Sequence, residues 1–291
     1  MTQRFQARTG EVGGIPVARN LPTRGLRQIG AWCFMDHIGP ITFDDEASQG
    51  LRVAPHPHIG LQTFTWMIQG ELLHRDSLGT AQPIRPGEVN LMTAGRGVSH
   101  TEESLFGDRT LHAAQLWIAL PEGDRNVPPR FDHYPSLPCW QNQGATWTLL
   151  TGQYESRQAD TLQYSALVGL DIDCQMSLTI ELVLEPDFEY GILPLTGACE
   201  INGERFETDE LAYIGNGLEK LTVACDPETR MLLIGGQPLG KDVVIWWNYV
   251  GYCKEEIVEA EQDWENQSLR FGDIPEWQGD RLQGPPSPWR R

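Results

Sequence analysis

The sequence predicts an all-β chain of two tandem barrels with one short carboxyl-terminal helix. Three observations predict it. Many short β-rich runs are broken by Gly, Pro, Asn and Asp, a spacing that indicates a sandwich or barrel. The two halves also repeat faintly. Gly70 through Pro86-Gly87-Glu88-Val89-Asn90-Leu91-Met92 to Gly95-Arg96-Gly97 has a counterpart from Gly197 through Asp209-Glu210-Leu211-Ala212-Tyr213-Ile214 to Gly215-Asn216-Gly217. Finally, a Pro-rich stretch, Val127-Pro128-Pro129 to Pro138, lies between the copies. Proline stiffens such a segment and keeps it out of central strands. The boundary is placed there, giving domains 1–135 and 136–291.

Along the first copy the strand candidates are Leu61–Ile68, Glu71–Arg75, Val89–Met92, Val98–Glu102 and Leu111–Leu120. Along the second they are Thr146–Thr151, Ser177–Leu184, Ala198–Ile201, Leu211–Ile214, Leu221–Ala224 and Met231–Ile234. Asn202-Gly203 is a two-residue hairpin signal, because both positions tolerate φ > 0. Lys254–Trp264 reads as the helix: Ile257, Ala260 or Glu261, and Trp264 share a face, and Glu255 and Glu256 favour its amino end. The tail from Asp273, rich in Pro, Gly and Arg, reads as extended, and either packed on the other domain or disordered.

The bulk numbers exclude several classes. No apolar run approaches the roughly 20 residues that cross a bilayer, and the start shows no secretory pattern. Six scattered cysteines without a CxxC favour reduced thiols and a cytoplasmic protein. The net charge of −18 is uneven. Residues 1–135 hold 12 Arg against 14 acids, whereas 136–291 hold 10 basic residues against 26 acidic ones. That field repels phosphate backbones and argues against nucleic acid. It serves solubility, with docking to a basic protein as the alternative.

All seven histidines lie between residues 37 and 133. Four side chains there form two pairs, His56-Pro57-His58 and His100-Thr101-Glu102. On strands, residues two apart point to one face, so facing strands present three imidazoles and a carboxylate to one point. Such a shell suits a divalent transition metal (Fe, Mn, Ni or Cu) and leaves positions open for substrate or O₂. The repeat places Val183 and Glu185 opposite His56 and His58, and Lys220 opposite His100, so the second copy cannot hold the same ion. His37 (which Asp36 could hold), His74, His112 and His133 read as structural. Glu103 points to the opposite face from Glu102.

Gly50 followed by His56-Pro57-His58, and Gly87 followed by Gly95-Arg96-Gly97 and His100, resemble the two metal motifs of cupins, which are double-stranded β-helix, or jelly-roll, barrels. Longer runs resemble the pirin family of bicupins. They are Phe34-Met35-Asp36-His37-Ile38-Gly39-Pro40, His56-Pro57-His58-Ile59-Gly60-Leu61-Gln62-Thr63, His74-Arg75-Asp76-Ser77-Leu78-Gly79, Trp246-Trp247-Asn248-Tyr249-Val250-Gly251 and, most specific, Met92-Thr93-Ala94-Gly95-Arg96-Gly97-Val98-Ser99-His100-Thr101-Glu102. The chain departs from many pirins at Ile59, Leu61 and Gln62, where they carry Arg, Phe and Glu. The resemblance implies an iron-binding first cupin with ligands His56, His58, His100 and Glu102, and a metal-free second cupin. The expected ion is Fe(II), with Mn, Ni, Cu or Zn as alternatives. Two functions are implied. One is a quercetin 2,3-dioxygenase that cleaves a flavonol with O₂ and releases CO, with Glu102 as ligand or base. The other is an iron-dependent regulator that binds a transcription factor or metabolic enzyme without turnover.

Overall fold

The computed structural model describes residues 2–43, 50–105 and 109–290. The chain divides into two compact units. One comprises Met1–Thr9, Ala18–His37 and Ser136–Leu239, the other Gly10–Val17, Ile38–Pro135 and Gly240–Arg291. The single boundary at 135/136 is therefore a simplification. The carboxyl-terminal 52 residues, Gly240–Arg291, belong to the unit that carries the histidines. Their apolar face has no place in the second barrel's sheets. Ile257, Ala260, Trp264 and Phe271 cluster instead with Ile59 and Tyr249.

Each barrel pairs a seven-stranded with a four-stranded sheet, and the strand orders correspond one to one. In the first barrel the large sheet runs Arg130–Tyr134, Val89–Thr93, Leu61–Gln69, Thr110–Ala119, Trp32–Thr42, Ile15–Leu21 and Arg8–Val12. In the second it runs Thr2–Gln6, Glu210–Ile214, Glu189–Thr196, Thr229–Gly236, Leu167–Cys174, Ala145–Thr151 and Cys139–Asn142. The small sheets run Arg52–His58, Val98–Ser104, Leu72–Asp76, Ala81–Ile84, and Leu178–Val183, Lys220–Cys225, Ala198–Ile201, Glu204–Glu207. The repeat seen in sequence is thus a repeat of topology.

All eleven strand candidates form, within a residue or two of their expected ends. Asn202 and Gly203 both adopt positive φ in a hairpin turn, as a type I′ connection requires. The helix spans Lys254–Glu265. The tail does not stay loose. Leu282 N–H donates to the Pro55 carbonyl, Trp264 donates to the Leu282 carbonyl, and buried Glu261 accepts from the backbone N–H and hydroxyl of Ser287. It packs on its own unit and lies across the helix and the strand that holds His56.

Alternation explains the second barrel's interior. In Leu178–Val183 the buried positions are Ile180 and Leu182, and in Lys220–Cys225 they are Leu221, Val223 and Cys225. These join Leu184, Ile201, Phe206 and others in one hydrocarbon cluster. Every cysteine is free: Cys33, Cys174, Cys199 and Cys225 are buried and Cys139 and Cys253 exposed. No helix among the described residues is long and apolar enough to cross a membrane.

Candidate metal centre

The Arg52–His58 and Val98–Ser104 strands pair antiparallel, with His56 opposite His100 and His58 opposite Val98. The three rings pack together, with centroids 4.2 Å apart for His56 and His100 and 5.0 Å for His58 with either neighbour. One ligand atom from each lies within 4.8 Å of the others, and all three residues are buried. The expectation that two His-containing pairs converge thus holds for the imidazoles. Glu102 is not among that close group.

A bulge shifts the pairing between His100 and Glu102. Glu102 faces Val53, three positions before His56, although Glu102 lies only two positions after His100. The extra residue lies in the Ala54-Pro55 segment, where a proline costs no ladder hydrogen bond. On its other side the Val98–Ser104 strand is regular: His100 faces Asp76 and Glu102 faces His74. Glu102 therefore shares a strand face with His100 and His74.

Each imidazole is aimed by a contact at Nδ1. His56 donates from Nδ1 to the Ala54 carbonyl at 2.9 Å, and His58 to the Asn248 carbonyl at 3.0 Å. His100 Nδ1 lies 3.3 Å from His74 Nδ1. Donating from Nδ1 to a carbonyl leaves Nε2 as the bare nitrogen of His56 and His58. The Nε2 atom of His100 is buried with no hydrogen-bond partner among the described residues. An orphaned buried nitrogen is costly unless something ligates it. Burial pushes the protonation of His56 down to about 4 and that of His58 and His100 well below the ordinary value, helped by mutual repulsion among the imidazoles. All three are therefore neutral at pH 7, the form a metal requires. Desolvation raises the Glu102 carboxyl to about 7. Three neutral imidazoles, bare at Nε2, with a desolvated carboxylate on the same face, fit a borderline divalent transition ion.

The carbonyl that aims His58 comes from the 244–251 hairpin. Ile59 bridges Tyr249, and Val250 N–H donates to the Ile59 carbonyl. Gly60 permits this approach. Its φ is +67°, and a Cβ there would lie 2.1 Å from the Val250 carbonyl oxygen. Nothing in the residue type of Asn248 signals its role, since a backbone oxygen does the work. Ile59, Leu61 and Gln62, the departures from the pirin pattern, are all buried.

The other histidines take varied places. His37 Nδ1 lies 2.6 Å from Asp209, while Asp36 is held by two hydrogen bonds from Arg19. His133 donates to Asn90 at 2.8 Å, and His112 is buried in its strand. His74, read as structural, lies directly behind His100. Its HxD spacing with Asp76 was the available signal.

The Pirin family model matches residues 14–118, and the model of the pirin C-terminal cupin domain matches 169–272. A protein of Pseudomonas aeruginosa named "Putative quercetin 2,3-dioxygenase" is 55% identical over 100% of this chain and 92% of its own length. The crystal structure of a quercetin 2,3-dioxygenase from Acinetobacter baumannii superimposes with a TM-score of 0.96 at 44% identity, covering 100% of this chain and 97% of that one. A bacterial pirin of Escherichia coli, solved in complex with nickel(II), shares the fold at a TM-score of 0.63 and 18% identity, over 82% of this chain and 100% of that one.

Proposed function

The chain belongs to the pirin family, and from that premise we propose that it is a mononuclear metal-binding bicupin acting as a quercetin 2,3-dioxygenase. It would cleave a flavonol with O₂ and release CO. The names of the P. aeruginosa relative and the A. baumannii structure support this reading. The observation that carries it is the partnerless, buried Nε2 of His100 beside two more imidazoles, each with Nδ1 already engaged.

His56, His58 and His100 would hold the ion through Nε2, with Glu102 as a fourth donor until it takes up a proton. Fe(II) is the proposed ion. When bound, it would supply Lewis acidity that lowers the pKa of the flavonol 3-hydroxyl. Glu102 carries the proton chemistry. Desolvation of its carboxylate, which favours the protonated form, strengthens it as a base. It takes the 3-hydroxyl proton at a carboxylate oxygen. Trp117, edge-on to His58 at 5.1 Å, holds that ring and keeps water from its flank.

Elemental analysis of the purified protein, combined with oxygen uptake on a panel of flavonols, tests this. Metal-loaded protein that leaves the quercetin spectrum unchanged in air overturns it. Glu102→Gln is expected to abolish turnover.

The acidic second domain favours a second reading, an iron-dependent interaction protein without turnover. The 26 acidic residues against 10 basic ones over residues 136–291 would give a salt-sensitive affinity for a basic protein surface. Iron-loaded protein that retains no partner at low salt counts against it.

A further inference from the structure

We propose that Asp76 and His74 form a positioning relay that fixes the tautomer of His100 and so prepares its Nε2 for the metal. The inference deepens the metal-site reading and rests on it for its consequence.

The relay starts at a turn. Asp76 Oδ1 accepts the backbone N–H groups of Leu78 at 2.9 Å and Thr80 at 3.0 Å. These bonds lock the carboxylate, which is 1% exposed. Its other oxygen, Oδ2, lies 3.1 Å from His74 Nε2. A carboxylate only accepts, so His74 carries its hydrogen on Nε2 and leaves Nδ1 bare. That Nδ1 faces His100 Nδ1 at 3.3 Å. Two ring nitrogens at this distance need one hydrogen between them. His74 has none to give, so His100 supplies it. His100 is thereby Nδ1–H, with its lone pair on the orphaned Nε2.

The surroundings hold the relay still. His74 stacks on Phe131 with centroids 4.4 Å apart and planes 25° apart, and the strand register sets Asp76 opposite His100. The second barrel supplies the contrast. His74 faces Glu102, and its counterpart Ile201 faces Val223. The relay is present only where the imidazoles are. Hydrogen-bond partners behind ligating imidazoles raise their basicity, and losing them weakens metal binding about tenfold to a hundredfold.

The test uses the full-length chain, with nickel(II) as probe. Three variants separate the roles. His74→Phe keeps the stack on Phe131 and removes both nitrogens. His74→Asn puts an amide oxygen near the position of Nδ1. Asp76→Asn can keep the turn bonds through its oxygen but turns an NH₂ toward His74, forcing the opposite tautomer. Nickel affinity is expected to fall about tenfold or more for His74→Phe and Asp76→Asn, and to recover most of the loss in His74→Asn. Long-range ¹H–¹⁵N spectra of the metal-free protein read the tautomer directly. His100 should be protonated at Nδ1 in the wild type and at Nε2 in Asp76→Asn. Wild-type affinity in both His74→Phe and Asp76→Asn, or an Nε2–H tautomer in the wild type, overturns the relay. A wild-type protein that shows the Nδ1–H tautomer yet binds no nickel overturns the metal-site reading instead. The spectra need no metal, so the two failures stay distinguishable.

Discussion

The two barrels share a strand order and differ in what fills them. In the first, the facing pair His56 and His100 sits in the small sheet. In the second, the equivalent inward pair is Leu182 facing Leu221. His58 corresponds to Leu184, Glu102 to Val223 and His74 to Ile201, all within one hydrocarbon cluster. Counting residues from the glycine anchors chose Val183 and Lys220, one position off. Val183 is 40% exposed and Lys220 pairs on the surface with Glu181, so parity excludes them from the interior. The comparison teaches that this barrel does not need its polar centre to fold. The histidines occupy positions that leucine, isoleucine and valine fill well, at the cost of buried polar groups that need partners.

The largest effect tests this exchange directly. Replacing His56, His58 and His100 together with leucine makes the first barrel resemble the second. Metal in the purified protein should fall to background by elemental analysis while the chain stays folded. Metal retained at wild-type levels would break the comparison.

The reverse substitution is next. Leu221→His puts an unpartnered imidazole into the second barrel's hydrocarbon and should cost about 3 kcal/mol in denaturant unfolding. A negligible loss would mean that interior is not close-packed.

A pH titration sharpens the contrast without mutation. His56, His58 and His100 have folded protonation values below the unfolded 6.5. The unfolded chain therefore binds more protons as pH falls, and metal-free stability declines with it. Between pH 6.5 and 5.5 each imidazole should remove about 1 kcal/mol. The decline continues to about pH 4 for His56. Glu102 acts in the opposite sense. Its folded value near 7 exceeds the ordinary carboxyl value of 4.5, so its contribution is full below 4.5 and fades as pH rises through 7. Thermal unfolding of the triple leucine variant should lose most of the acid slope.

The smallest effect concerns the tail, for which the second unit has no equivalent. Ser287→Ala removes one of two hydrogen bonds to buried Glu261 and should cost about 1–2 kcal/mol locally. Faster proteolysis of the tail is the readout, with unchanged cleavage elsewhere.

Much of this was legible in the sequence because alternation and turn chemistry are local. The small-sheet strands that carry His74, His100 and Glu102, the Asn202-Gly203 turn, the helix and the convergence of three imidazoles all follow from residue order. The Glu189–Thr196 strand was missed because its buried positions run together, with no polar face to mark a period. The bulge before His56 was hidden for a related reason: an extra residue leaves no compositional mark beyond Pro55. The Asn248 carbonyl was beyond reach because backbone oxygens are the same at every position. His74 and Asp76 were visible as residues, but their role depends on a strand register that only folding supplies.

The bond from His58 to the Asn248 carbonyl has a consequence for synthesis. When residue 135 leaves the ribosome, every proposed metal-binding side chain has been made, yet the group that aims one of them is more than a hundred codons away. Iron offered to the nascent chain would meet two oriented imidazoles and one free to turn. A product that stops short of the 244–251 hairpin carries the complete motif without the carbonyl that aims His58.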